Sequence, residues 1–303
     1  MAFTASDVKN LRGRTGCGMM DCKKALTESN GDFEKAIEYL REKGLAAATK
    51  KAGRIAAEGM VLATVNKEAK VGVVIEVNSE TDFVAKNEQF RTFVAELAEI
   101  VAETNPATVE ELRTKTMKDG NTVEAGLQEK ILVIGENLKI RRFVRYEGPC
   151  VAYIHAGGTH GVLVKFETSD EVFAKAEFDA YGKDVAMQVA AANPTYLCKA
   201  DVAPEVLEKE KEILMQQAIN EGKPANIAEK MVMGRIAKFY KENCLLDQAF
   251  VKDDKQSITD YTKATAKELG GDITVVAFTR FEKGEGLEKK EDNFAAEIAS
   301  MTK

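Results

Sequence analysis

An internal duplication constrains this chain more than any other feature. Two β-rich runs, 60–65 and 71–77, flank the polar turn 66–70 and lead into an amphipathic helical stretch over 82–103. The plan returns 89 positions later, with runs at 150–154 and 161–166, a Gly-rich turn and helical periodicity over 170–192. Individual residues match: Ala63 with Ala152, Gly72 with Gly161, Ala85-Lys86 with Ala174-Lys175, and Asn105-Pro106 with Asn193-Pro194 at a spacing of 88. A chain that repeats a hairpin-plus-helix unit buries its apolar faces by pairing two related α+β subdomains, each an antiparallel sheet backed by helices.

The rest of the chain hangs on that core. Thr4-x-x-Asp7 is a capping-box pattern opening a helix through Val8 and Leu11 that breaks in the stretch 13–18. A second helix over 19–29 stops at Asn30-Gly31, and Asp32 caps a third that carries Phe33, Ile37 and Leu40 and ends at Gly44. The expected organisation is therefore a three-helix, ubiquitin-associated-like head at 1–45 and a linker at 46–58. Core subdomain 1 follows at 59–147 and core subdomain 2 at 148–282. Between the two hairpins, helices are expected over 109–117 and 122–134 and a strand over 138–146. In the second subdomain Pro204 suits a first helical position. Stripes through Val206, Leu207, Ile213 and Leu214, then Ile227, Met231, Val232, Ile236 and Phe239, flank Gly222-Lys223-Pro224. They predict an inserted antiparallel helical hairpin at 204–240. Core packing and partner binding both account for these stripes, and pairing of two copies through the hairpin is one form of the second. A helix over 257–269, a strand over 273–281 and a C-terminal helical module at 283–303, with Phe294, Ile298 and Met301, complete the reading.

Several chemistries lack their signatures. The chain has no GxxxxGK[ST] phosphate loop, HExxH, GxSxG or strand-linked GxGxxG. Its only histidines, His155 and His160, lie in AYIHAGGTHGVLV, a strand-turn-strand pattern with no further ligand type before Glu167, so a structural or surface role outweighs metal binding. Five cysteines without a CxxC pair fit a reducing cytoplasm, and Cys17 and Cys22 fit a small residue and a helix face. A net charge of -6 repels a phosphate backbone, which disfavours generic nucleic-acid binding. No apolar run is long enough to span a membrane, and the start MAFTASDVKN lacks the pattern of a secretory signal.

The stretch Glu80-Thr81-Asp82-Phe83-Val84-Ala85-Lys86-Asn87 is where the repeats differ, and matching at 89 sets Phe83 against Val172. Spacing alone favours a core position for Phe83. An aromatic at a helix's first turn, beside Asp82 and just after a strand, can also point outward.

Four separated stretches, LRGRTGCGMMDCKKAL (11–26), NSETDFVAKN (78–87), IGENLKIRR (134–142) and FTRFEKGEGLEK (278–289), resemble in order and spacing those of the bacterial elongation factor Ts family. The resemblance spans nearly the whole chain. It implies a nucleotide exchange factor, without covalent chemistry or cofactor, that binds the GTPase elongation factor Tu in the cytoplasm and speeds GDP release. Position by position it implies that Thr81, Asp82, Phe83 and Val84 push into the GTPase and dislodge its magnesium ion. Ile134 and His155 are implied as further contacts, and Arg12, Met19, Met20 and Lys23 as contacts of the head. Cys17 stands where a smaller residue is expected, the connection 101–126 is longer than in short members, and the turn 155–161 is altered. Two other classes remain: an adaptor built on the head, whose activity residues 1–45 alone would keep, and an enzyme with a Cys17 or Cys22 nucleophile, which alkylation would abolish.

Overall fold

Thr4 opens the fold. Its hydroxyl accepts the Asp7 N–H (3.3 Å) while the Asp7 carboxylate accepts the Thr4 N–H (2.7 Å), and this reciprocal cap starts α1, Ala5–Thr15. The computed structural model describes residues 3–289 except Lys223, so Phe294, Ile298 and Met301 of the expected final helix lie outside the described residues, and 283–286 form turns. α1 passes through Gly13 and ends where Gly16 turns left-handed (φ 66°), later than the glycine content suggested. α2, Met19–Glu28, ends before Asn30 (φ 53°) and Gly31 (φ 85°). α3, Phe33–Lys51, is capped by Asp32 and runs straight through Gly44, where the sequence reading stopped it. Gly44 is buried, and a Cβ there would stand 3.3 Å from the Gln128 carbonyl oxygen. This glycine permits a close approach and is not a stop signal, so the helix absorbs the Ala- and Lys-rich segment as far as Lys51. Val8, Leu11, Cys22, Leu26 and Leu40 form one cluster with Leu132 and Val133 against it.

The first copy of the duplicated unit follows as β1 (Glu58–Asn66), β2 (Val71–Ser79), α4 (Asp82–Ala85), α5 (Glu88–Thr104), α6 (Val109–Thr114), α7 (Val123–Ile134) and β3 (Lys139–Glu147). The sheet order is β1-β2-β3 and every residue of central β2 is buried. The single helix expected over 82–103 is two helices. The Asn87 side chain accepts the N–H groups of Gln89 (2.9 Å) and Phe90 (3.2 Å), making Asn87 the cap of a new helix instead of an interior residue.

Burial of β2 brings in an acid. Glu76 is 0 % exposed, and its carboxylate accepts from the Gly284 N–H (2.8 Å), the Asn78 amide (3.0 Å), Arg141 (2.9 Å) and Arg142 (2.6 Å). Burial alone would push its pKa up, but these four donors outweigh it and hold the carboxyl below its ordinary value. The arginines of IGENLKIRR and the first glycine of KGEG thus serve a buried carboxylate. Gly284 adopts φ 69° with Ala57 so close that a Cβ would lie 2.1 Å from the Ala57 carbonyl oxygen, which leaves room only for glycine.

The second copy contains β4 (Cys150–His155), β5 (His160–Thr168), α8 (Asp170–Phe173) and α9 (Ala176–Ala192). Strands β4 and β5 pair antiparallel from Cys150↔Lys165 to His155↔His160. Next come α10 (Pro204–Asn220), α11 (Ala225–Asn243), β6 (Ala249–Phe250), β7 (Asp253–Ser257), α12 (Ile258–Leu269) and β8 (Ile273–Glu282), with sheet order β4-β5-β8. Phe166, Phe178 and Tyr181 fill its core, the two phenylalanines edge-on at 5.2 Å. α10 and α11 pack on each other as the expected hairpin; Ala218, Ala228 and Val232 are buried, whereas Val206 and Ile213 remain exposed. Contacts divide the chain into one unit of 1–62, 75–143 and 282–303 and another of 63–74 and 144–281.

The repeat register changes partway. β2 and β5 keep the spacing of 89, from Val71 against His160 to Ser79 against Thr168. From Asp82 against Asp170 the spacing is 88, and it stays so through α5 and α9 to the left-handed Asn105 (φ 44°) and Asn193 (φ 43°). The first copy therefore carries one extra residue, Glu80, between strand and helix. This corrects the match of Phe83 with Val172: Phe83 stands opposite the exposed Glu171, and Val84 opposite Val172, both of them buried.

Candidate functional site

Phe83 is 76 % exposed on a helix only four residues long, so the core position that spacing favoured is not the one it takes. Asp82 beside it is exposed, paired with Lys86 at 3.2 Å, and the Lys86 ammonium lies 5.8 Å from the Phe83 ring centroid. Val84 turns the other way. It is buried, so of the four residues 81–84 it anchors the turn while Asp82 and Phe83 face solvent.

So short a helix does not hold itself. At its N-terminus Thr81 is extended and makes no side-chain cap; the hydroxyl donates instead to Glu136 (2.6 Å). The other oxygen of Glu136 accepts the N–H groups of Glu80 (3.0 Å) and Thr81 (2.9 Å). Glu80 in turn accepts the Asn137 N–H (2.6 Å) and pairs with Arg54 (3.3 Å), whose carbonyl accepts from the Asn137 amide (2.9 Å). Ser79 Oγ donates to the Thr81 carbonyl (2.8 Å). The structure thus joins the NSETDF and IGEN stretches, and places Ile134, half-buried at the end of α7, two residues from the clamping carboxylate. Glu80, Glu136, Asn137 and Arg54 were not singled out from the sequence. Two of them lie within IGEN, but nothing in a single chain says that a carboxylate 56 residues on caps this turn.

On the head, Met19 (46 % exposed) and Met20 (72 %) occupy the first turn of α2 behind Gly18, with Arg12 and Lys23 exposed on neighbouring turns. Cys17 and Cys22 are buried beneath them, the Cys22 thiol 3.7 Å from the Cys17 carbonyl oxygen and 3.8 Å from the Thr15 hydroxyl. Burial pushes both thiols above their ordinary pKa, which suppresses the thiolate a nucleophile needs. Cys17 sits in the loop between α1 and α2, and Cys22 on the buried face of α2. In the second unit His155 is exposed at the end of β4, with Nδ1 3.1 Å from the Tyr153 hydroxyl and its ring 5.9 Å from that of His160. Arg12, Met19, Met20, Lys23, Asp82, Phe83 and Ile134 belong to the first unit and His155 to the second.

Comparison with known proteins bears on the whole chain. A family model described as Elongation factor TS matches residues 80–285. The curated Elongation factor Ts of Clostridium perfringens (strain SM101 / Type A) is 56% identical over 304 residues, covering 99% of both chains. That of Clostridium kluyveri (strain NBRC 12016) is 53% identical over 301 residues, covering 98% of this chain and 97% of its own. That of Trichlorobacter lovleyi is 52% identical over 307 residues, covering 99% of this chain and 98% of its own. With identity of this order from end to end, and with the four stretches that carried the resemblance lying on one continuous match, the chain belongs to the elongation factor Ts family.

Proposed function

We propose that this protein is a guanine nucleotide exchange factor: it binds GDP-loaded elongation factor Tu, dislodges the magnesium ion and releases GDP so that GTP can bind. The observation that carries the reading is Phe83, a large apolar ring held 76 % exposed beside Asp82 on a braced turn. Magnesium bridges protein oxygens to phosphate oxygens, so a side chain wedged beside that site removes much of the nucleotide's electrostatic hold. The factor itself then needs no phosphate loop, no cofactor and no covalent step. It needs preferential affinity for the nucleotide-poor GTPase. A thousandfold loss of nucleotide affinity on factor binding corresponds to a coupling of about 4 kcal/mol, with factor and nucleotide weakening each other reciprocally.

On this reading Asp82 and Phe83 intrude, Thr81 and Val84 hold them, and Arg12, Met19, Met20 and Lys23 dock a ubiquitin-associated-like head on the GTPase, with Ile134 and His155 as further contacts. The protein acts in the cytoplasm on a protein partner, without direct contact to nucleic acid or membrane; among the described residues no helix is long and apolar enough to cross one. The hairpin at 204–240 is where a second copy would pair.

Stopped-flow measurement of a fluorescent GDP analogue leaving elongation factor Tu tests the proposal. The release rate should rise and saturate with factor concentration and show the reciprocal loss of factor affinity when GDP is in excess. A release rate independent of the factor would sink it.

A further inference from the structure

The duplication supplies an internal control for one residue that the exchange reading does not itself assign. In the second copy the turn between strand and short helix caps in the ordinary way: Ser169 Oγ accepts the Val172 N–H (3.3 Å), no extra residue is present, and the buried valine sits where it should. In the first copy Glu80 has been added. An added residue at a strand-to-helix turn brings an additional backbone N–H that neither the sheet ladder nor the helix accepts, and it draws Thr81 out of its capping role. One side chain answers both changes, since the Glu136 carboxylate takes the Glu80 N–H, the Thr81 N–H and the Thr81 hydroxyl.

The place from which Glu136 reaches is duplicated as well. α7 ends at Ile134 with the left-handed Gly135 (φ 86°), and α12 ends at Leu269 with the left-handed Gly270 (φ 70°). The next residue is Glu136 in the first copy and Gly271 in the second. A Cβ on Gly271 would meet Val172 at 2.7 Å, so the second copy has neither the carboxylate nor space for one. The added residue and its clamp thus occur together in the copy that displays Phe83, and are absent together from the copy that displays Glu171 at the matching place.

We infer that Glu136 is a positioning residue for nucleotide exchange: it presets the Glu80-Thr81 turn so that Asp82 and Phe83 meet the GTPase already oriented. The inference rests on the exchange reading above, and it assigns Glu136 no contact with nucleotide or metal. Phe83, with its ring in solvent, cannot order the turn by its own packing, and Val84 fixes only the far side. Without the carboxylate the turn samples other conformations, and partner binding has to select among them.

The test separates the maximal rate of GDP-analogue release from the factor concentration giving half of it, in Glu136→Ala, Glu136→Gln and Thr81→Val. Glu136→Ala should lower the maximal rate roughly tenfold with less than about threefold change in the half-saturating concentration, because the head and other contacts are untouched. Glu136→Gln keeps an acceptor for the two N–H groups and should recover part of the loss; Thr81→Val, missing only the hydroxyl bond, should lose least. Amide hydrogen exchange at Glu80 and Thr81 should speed up in Glu136→Ala while the α5 amides stay protected. Wild-type maximal rates in both Glu136 variants overturn the inference, as does an equal loss in Ala and Gln accompanied by a collapsed melting transition. If the unmodified protein fails to accelerate release, the exchange reading falls, while the amide measurement still decides whether Glu136 orders the turn.

Discussion

Phe83→Ala should slow stimulated GDP release at least tenfold while moving the folding stability of the free protein by less than about 0.5 kcal/mol, the range of surface substitutions. A ring that is 76 % exposed contributes little to its own fold, so its removal takes little away. Seated in an apolar pocket of the partner, the same ring hides roughly 150–200 Å², which at about 25 cal/mol per Å² is on the order of 4 kcal/mol before ordering costs are subtracted. The repeat provides controls on either side. Glu171→Ala, at the structurally matching position, should leave both exchange and stability near wild type. Val84→Ala, one residue along but buried, should cost roughly 2 kcal/mol of stability. Paired measurements of release rate and chemical denaturation on the three variants distinguish an intruding ring from a packed one. Normal exchange by Phe83→Ala would remove the intrusion mechanism.

The largest loss of stability is expected at Glu76. Glu76→Ala strands the Gly284 N–H and takes one acceptor each from the Asn78 amide and two guanidinium groups around a hole in the central strand. Breaking a buried charged network by removing one partner costs roughly 3–5 kcal/mol, and the partial exposure of Arg141 and Arg142 points to the lower end. Glu76→Gln keeps the shape but not the charge and should fall between. The pH dependence follows from the direction of the shift. The folded carboxyl titrates below its unfolded value of about 4.3, so its stabilisation is complete above that pH and drains away as pH falls through the folded pKa. Urea midpoints measured from pH 6 downward should decline more gently below about pH 4 in Glu76→Gln than in wild type, by up to one proton's worth of slope. Parallel declines would mean that this carboxylate does not govern the acid limb.

Local rules were legible in the sequence wherever one residue type has one conformational reason to be present. Thr4 with Asp7, Asp32, and the paired Asn-Pro steps at 105 and 193 lie at helix ends because capping and left-handed geometry select those side chains. Gly44 misled because glycine has two uses, and its use here, close approach to residue 128, depends on a neighbour 84 positions away. Asn87 misled because the apolar period runs unbroken across it, and periodicity does not register a side chain that competes for backbone N–H groups. The duplication was visible, and so was a slip inside it, from a spacing of 89 to one of 88 at the Asn-Pro pairs. What misled was its place, because the Ala85-Lys86 match with Ala174-Lys175 carries 89 past the helix start, whereas the helix starts at Asp82 and Asp170 put the slip at Glu80. Of the candidate site, Asp82 and Phe83 were found through the family pattern. The braces behind them are long-range contacts that leave no periodic trace.

Gly284 reaches Glu76 across 208 positions, and this sets an order on synthesis. A ribosome delivers β2 with its carboxylate long before it delivers the glycine that caps that carboxylate, and everything from the hairpin of α10 and α11 to β8 emerges in between. The second unit, whose 144–281 stretch is complete by then, can condense while the first still lacks its closing segment. Non-local closure of this kind slows folding and leaves the unfinished sheet open to wrong partners for the time translation takes. A growing polypeptide that stops short of residue 284 therefore lacks one of the four donors to the carboxylate in its middle strand, and the strand stays incompletely closed until the last segment is made.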